Sequence, residues 1–293
     1  MVFLCFLSGA FVCHIYFKIA FERVTLVILF LKLRSRKDGN VMVVNNNERM
    51  YHIGISENQG AKAAIICGDP GRVELIASLC DGYAPLAANR EYTSFEASVG
   101  DERIIIMSHG IGGPSTAICV EELYMVGVRT LIRVGTCGGM AKNVKAEDIV
   151  IASSAIRAEG TSREYLPIEF PAAADFAVTS ALRDEAVAVG KNYHIGVVHC
   201  KDSFYGQHSP KRMPISDELL SKWRAWIKGG ALASEMETSA LFCVSASLGI
   251  RAGAVLRTIW NQERAAAGII DDIEADELSA ARIAVGAIRR LIG

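Results

Sequence analysis

From Ala63 onward the chain alternates short apolar runs with segments whose apolar residues recur every three or four positions. AAIIC (63–67) reads as a buried strand, and VELIASLC after it as helical. SFEASV alternates and IIIM is continuously apolar, which predicts two strands around Gly100-Asp101. GGPSTAICVEELYMVG predicts a helix that opens after glycine and closes at Gly127. RTLIRVGT, DIVIASSAI, HIGVVHC and AGAVLRTIW read as further strands, with helices expected at 175–190, 214–228, 237–248 and 275–292. Apolar strands alternating with helices predict one α/β domain around a central, largely buried sheet.

Residues 1–46 break this pattern. MVFLCFLSGAFVCHIYF carries no charge before Lys18; VTLVILFLKL follows, and then the basic cluster KLRSRK. One reading is a signal anchor, which by the positive-inside rule leaves the rest of the chain in the cytoplasm. A cleaved signal peptide fits poorly, because a basic n-region and a clear A-x-A site are missing. The third reading, favoured because a recognisable domain begins at Tyr51, places the true start of translation at Met42 or Met50. The expected division is therefore a hydrophobic extension over 1–46 and a folded domain over 51–293, cytoplasmic and without membrane attachment.

Charge narrows the ligand class. Lys+Arg total 31 against Asp+Glu 32, for a net charge of -1, which argues against bulk affinity for nucleic acid or anionic membranes. Any anion must be held by a few placed arginines. The eight cysteines form no C-x-x-C pair and sit mostly in apolar runs, as small hydrophobes of a reducing compartment do. No metal cluster is expected from them.

Three glycine-rich strand ends are candidates for ligand binding: Cys67–Arg72, His109–Ser115 and Val134–Gly139. At strand carboxyl ends glycine lets backbone N–H groups approach an anion. Dinucleotide and P-loop fingerprints both fail: Ser115 stands where the first wants Gly, and the chain has no G-K-[ST]. Arg72, Arg90 and Arg133 lie beside these turns, and forked guanidinium donors suit a small dianion such as phosphate. Arg133 has a plainer reading as a buried partner of Glu121 or Glu122. Ser234-x-x-Glu237 likewise fits a helix capping box. In KDSFYGQHSP, Phe204 can stack on a flat ring, and Gln207 offers a paired donor and acceptor, although a loop with a packed aromatic explains the stretch as well.

Taken together, YHIG (51–54), GDPGR (68–72), NREYTSF (89–95), SHGIGGPSTAICVEEL (108–123), LIRVGTCG (131–138), DSFYGQ (202–207) and SEMETSAL (234–241) resemble the nucleoside phosphorylase-I superfamily, specifically its bacterial uridine phosphorylases. The resemblance runs from about Tyr51 to the C-terminus and implies a single α/β domain with a mixed, distorted central sheet flanked by helices. It implies reversible phosphorolysis of uridine, with inorganic phosphate as co-substrate and no resident cofactor or metal. It also implies a hexamer, a trimer of dimers with sites shared between neighbours. Carried over, Gly68, Arg72, Arg133 and Thr136 bind phosphate, with Arg90 from the adjacent subunit. Met236, Glu237 and Thr136 hold the ribose, joined by His52 of the neighbour, while Phe204 and Gln207 hold the uracil. Arg72, Arg133 and Glu237 are the expected catalytic residues. Some members place a monovalent cation at the dimer interface, near positions matching Glu91, Ile111 and Ser115.

Two departures stand out. The family loop follows Gln, one residue on, with an Arg that grips a uracil carbonyl, whereas Gln207-His208-Ser209 lacks it; Arg212, or Lys211, is the expected substitute. Trp260 replaces a smaller apolar residue at the end of TIW, which narrows the base pocket. Purine-cleaving relatives carry an Asp at that strand end as general acid, and here the residues are Asn261-Gln262, with no Asp before Asp271. Uridine is therefore expected as substrate. The alternatives are a purine nucleoside phosphorylase or a nucleoside-binding protein of this fold without turnover.

Overall fold

The computed structural model describes residues 32–35, 41–271 and 274–292, and its contacts divide the chain into two units, Met1–Tyr51 and His52–Gly293. In the first, β1 (Lys32–Ser35) pairs antiparallel with β2 (Val41–Val44). The Asn45 side chain accepts from Asn47 N at 2.9 Å and from Arg49 N at 3.1 Å, closing the turn that follows. The apolar runs before Lys32, and with them the anchor reading, lie outside the described residues. Among the described residues no helix is long and apolar enough to cross a membrane.

The second unit runs β3 (Ala63–Cys67), α1 (Val73–Ala77), β4 (Gly82–Asn89), β5 (Tyr92–Val99), β6 (Glu102–Ser108), α2 (Gly113–Met125) and β7 (Thr130–Gly139). It continues with β8 (Ile149–Ala158), α3 (Thr161–Tyr165), β9 (Ala172–Ala173), α4 (Phe176–Ala188), β10 (Tyr193–Lys201) and α5 (Phe204–His208). The last elements are α6 (Ser216–Lys228), β11 (Ala233–Glu235), α7 (Thr238–Ser247), β12 (Arg251–Asn261), α8 (Gln262–Ala266) and α9 (Ser279–Ile292). The long apolar strands and helices fall within a few residues of their predicted spans. The elements with no predicted counterpart, β4, β9, β11, α3, α5 and α8, are short or, like β4, exposed along most of their length. Such segments leave no hydrophobic period to read.

The sheet order is β11-β10-β8-β12-β7-β3-β6-β5-β4, with β9 added on β8. It is mixed: β3, β6, β7 and β12 run parallel, whereas β8 is antiparallel to β12, and β5 and β4 form an antiparallel edge. β11 pairs with both β10 and β7, so β11, β10, β8, β12 and β7 close into a ring. That closure is the distortion of the sheet, and it gathers several strand carboxyl ends around one mouth.

One sheet face is covered by α1, α4 and α9, with Ile76, Leu182 and Ile288 packed on Ile65, Ile132 and Val255 in a single apolar core. α7 is buried from Thr238 through Ser245. Its sequence TSALFCVS shows no wide polar face, as expected of a helix enclosed on all sides.

Candidate active site

A cavity of about 1040 Å³ opens at the carboxyl ends of β3, β6, β7, β10, β11 and β12. This is where an α/β sheet gathers its ligands, because strands and the turns after them aim backbone N–H groups and side chains at a common point. The three glycine-rich stretches converge there: Gly68 and Gly110 in the turns after β3 and β6, and Gly135 within β7, all line the cavity.

Arg133 lies at the centre of the charged end. It occupies a mid-strand position on β7 and is only 3 % exposed. Its Nη2 bonds Glu237 Oε2, and its Nη1 lies 3.3 Å from Glu235 Oε2. The predicted alternative, pairing with Glu121 or Glu122, is not what forms. Glu122 is engaged instead by His52 Nδ1 at 2.6 Å and by the backbone N–H of Ile53 at 2.8 Å. Gly135, two residues along the same strand face, makes room for the guanidinium: a Cβ there would collide with it.

Burial disfavours the charge on Arg133, but Glu237 and Glu235 outweigh it and raise its pKa. Burial also works against the charge on Glu237; the Arg133 guanidinium prevails and holds that carboxyl below its usual range. Glu237 Oε1 accepts a 2.7 Å bond from Gly112 N, in a turn where Gly112 has φ 92°. Arg133 Nε and Nη1 remain buried without a hydrogen-bond partner. Nη1 is held only through its ion pair with Glu235, so the guanidinium is not fully committed to hydrogen bonds, which suits an anion.

The capping-box expectation is corrected here. Ser234 belongs to β11, and Glu237 is itself the N-cap of α7 without a side-chain cap bond. Glu235 does the capping, with Oε2 accepting from Glu237 N and Thr238 N, each at 2.9 Å. Glu235 thus ties the helix start to Arg133 and leaves Glu237 facing the cavity beside Met236.

Arg72 ends the turn after β3, with Nε 3.8 Å from Asp69 Oδ2, and Asp69 in turn accepts from Gly71 N at 2.9 Å. Gly68, Arg72, Arg133 and Thr136 all line the cavity. Cys137 lines it too, but burial pushes its thiol up to about 12, which removes it as a nucleophile.

The other end is aromatic, with a single buried lysine. Phe204, His208 and Trp260 line it, with ring centroids 4.3 Å apart for Phe204–His208 and 6.0 Å for His208–Trp260. A register shift between Thr258 and Trp260 re-aims the end of β12 so that Ile259 and Trp260 both face the cavity. Gln207 and Lys201 complete this end. The carboxylates on the wall are Asp69, Glu235 and Glu237, all beside Arg72 or Arg133. Asn261 carries no chemistry: its Oδ1 accepts from Glu263 N and Arg264 N, and its Nδ2 donates to Ala141 O and Val144 O.

Three predicted residues fall outside this cavity wall. Arg90 sits in the β4–β5 turn with φ 55°, and His52 is clamped by Glu122 with its side chain 29 % exposed. Arg212 stacks over Tyr205, 5.3 Å from the ring centroid, so the structure does not bring it to the base end. Lys201 is there instead, buried, with Nζ 2.9 Å from Ser234 Oγ. Burial lowers its pKa, and the Glu235 carboxylate partly offsets that. A lysine closing an otherwise apolar strand, HIGVVHCK, was the signal for it.

The family profile of the phosphorylase superfamily matches residues 62–292. The uridine phosphorylase of Treponema pallidum is 48% identical over 250 residues, 85% of this chain and 97% of the relative. That of Escherichia coli is 38% identical over 251 residues, covering 83% and 98%. A guanosine phosphorylase of Halorubrum lacusprofundi is 39% identical over 204 residues, covering 70% and 80%. With its cavity at the strand ends of a mixed sheet and this breadth of similarity, the chain belongs to the phosphorylase superfamily.

Proposed function

We propose that the chain catalyses the reversible phosphorolysis of uridine to uracil and ribose 1-phosphate. The observation that carries this reading is the cavity's polarity. A buried arginine stands beside Glu237 and Glu235 at one end, and an aromatic wall with a lysine and without a carboxylate forms the other.

The C1′–N1 bond breaks with its electron pair passing to N1 of the base, leaving an oxocarbenium-like sugar and an anionic uracil that then takes up a proton. A phosphate oxygen, aimed by Arg72 and Arg133 with Gly68 and Thr136, forms the new bond to C1′ from the opposite face. Glu237 and Met236 hold the ribose, and the Glu237 carboxylate favours positive charge developing at C1′. No protein nucleophile is needed, and the work is positioning plus electrostatics. Phe204 stacks on the uracil, Gln207 reads its edge, and Lys201 takes the place expected of Arg212, stabilising the departing base.

Purine cleavage is the weaker reading, although one relative is a guanosine phosphorylase. A purine N7 needs a proton donor at the end of β12, and Asn261 there is consumed by backbone bonds. A binding protein without turnover would have no need to keep Arg72, Arg133 and Glu237 together. The finer features follow the same reading: residues 51–293 form the catalytic domain, and six copies assemble in the cytoplasm. In that assembly Arg90 and His52 reach a neighbour's phosphate and ribose. The free cysteines among the described residues, such as Cys67, Cys119 and Cys200, support a reducing compartment.

The deciding measurement is phosphate-dependent release of uracil from uridine, followed by absorbance. Cleavage of inosine without cleavage of uridine would reverse the base assignment.

A further inference from the structure

Gln207 can turn either its oxygen or its nitrogen toward a given neighbour, and the groups behind it decide which. Ser234 Oγ lies 2.8 Å from Gln207 Oε1, 2.9 Å from Lys201 Nζ and 3.0 Å from His199 Nδ1. A serine hydroxyl has one proton and two lone pairs, and a lysine ammonium can only donate to it.

His199 is 3 % exposed, stacked on Trp226 with ring centroids 4.0 Å apart, and its Nε2 is buried without a partner. Burial, reinforced by the Lys201 charge, brings its pKa down to about 3, so the ring carries one proton. On Nε2 that proton would be a buried donor with nothing to receive it. It therefore belongs on Nδ1, where Ser234 accepts it. With both lone pairs engaged, Ser234 sends its own proton to Gln207 Oε1. The Gln207 nitrogen then points to Gln262 Oε1, 3.3 Å away.

We propose that Ser234, backed by His199, is the positioning residue that makes Gln207 accept a base with a ring N–H beside a carbonyl and reject one with a bare ring nitrogen. The inference rests on the proposed function. In this orientation Gln207 keeps one lone pair on Oε1 and one proton on Nε2 for the base, an acceptor beside a donor. The N3–H and adjacent carbonyl of uracil match that pair. Cytosine sets a bare N3 against Oε1 and an amino group against Nε2. Turning the amide over to suit cytosine would leave the Ser234 proton without its acceptor.

The test is initial-rate kinetics of the full chain and its Ser234→Ala and Ser234→Thr variants, with uridine, phosphate and cytidine each varied and melting recorded. Ser234→Ala is expected to raise the uridine KM about tenfold and to narrow the preference for uridine over cytidine by about the same factor. Its phosphate KM stays within about twofold, because the charged end is untouched. Ser234→Thr, which keeps the hydroxyl, restores both quantities. His199→Phe, which keeps the stacked ring and removes the Nδ1 donor, moves them in the direction of Ser234→Ala. An unchanged uridine KM and preference in Ser234→Ala, with unchanged melting, overturns the inference, as does Ser234→Thr behaving like the alanine variant. A wild-type chain that releases no uracil from uridine overturns the phosphorolysis reading and the inference with it.

Discussion

The two ends of the cavity are built in opposite ways. At the charged end Arg133 is 3 % and Glu237 5 % exposed, on a strand and at a helix start. At the aromatic end Phe204 is 50 % and Trp260 44 % exposed, on a five-residue helix and a bulged strand tip. The contrast fits what the proposed reaction asks of each end. Charge that develops at C1′ is stabilised best by groups already desolvated and fixed, since a low local dielectric strengthens them and no reorganisation is needed. A flat neutral base needs a face to stack on and an edge to read, and open aromatic side chains supply that while letting the base enter and leave.

The largest expected effect is at the buried end. Arg133→Ala should lower kcat/KM by about a hundred- to a thousandfold, as loss of a preorganised electrostatic group does. It should also destabilise the fold by about 3–5 kcal/mol, because Glu235 and Glu237 are left as buried carboxylates without their cation. Melting and kinetics separate the two consequences. Adding Glu235→Gln to Arg133→Ala should recover part of the melting temperature and none of the activity. If activity returns as well, Arg133 is a structural ion-pair partner and the comparison between the ends collapses.

Glu237→Gln comes next, with kcat down about ten- to a hundredfold for the loss of a charge-assisted contact to the sugar. The pH dependence of stability offers a second reading of the same end. Glu237 has its pKa lowered from 4.5 by Arg133 against the cost of burial, so its contribution is present above about pH 4.5 and is lost as pH falls through its lower folded value. His109 acts in a higher window. Burial, with the Arg133 charge, takes its pKa from 6.5 to about 3, so the unfolded chain takes a proton that the folded chain refuses. Stability therefore declines as pH falls from about 6.5 toward 3. In melts across pH, Glu237→Gln should flatten the wild-type slope below pH 4.5 and leave the slope above it intact. An unchanged acid slope would mean that Glu237 is not held charged by Arg133.

At the open end the effects should be smaller and of a different kind. Phe204→Ala should raise the uridine KM about tenfold, with kcat within about twofold, because stacking is made with bound substrate and transition state alike. Melting should hardly move, since a half-exposed side chain contributes little to packing. A large fall in kcat with unchanged KM would place Phe204 in the charged machinery and erase the distinction between the ends.

Legibility in the sequence divides along the same line. The long strands and helices could be read because their apolar periods are long, and Arg133 stood out because a cation inside LIRVG has to be answered by something. What answered it could not be read. Glu235 and Glu237 lie about a hundred residues away, and SEMET fits a helix cap as well locally as it fits a pair of acids on one guanidinium. The closure of β11 onto β7 makes that pair, and a three-residue strand carries no hydrophobic period of its own. The base end was less legible still. Lys201 could be noticed only as a polar ending to an apolar strand, and nothing in the spacing ties Ser234 and His199 to Gln207, which are brought together across β10, β11 and α5.

Arg212 and Lys201 provide the finest test, since both are cations near the loop that carries Phe204. Arg212 lies over Tyr205 and is exposed; Lys201 is buried on the cavity wall within reach of Ser234. An exposed guanidinium is screened by water, and removing it should change the uridine KM by less than about twofold. Lys201→Met keeps much of the side-chain volume and removes the charge, and should cost about tenfold or more in kcat, because the anion that leaves C1′ loses a desolvated partner. The ordering of the two is what matters. If Arg212→Ala proves the more damaging, the loop closes over bound uridine and carries Arg212 inward. The base end would then be assembled only with its substrate, in contrast to a phosphate end that is built in advance.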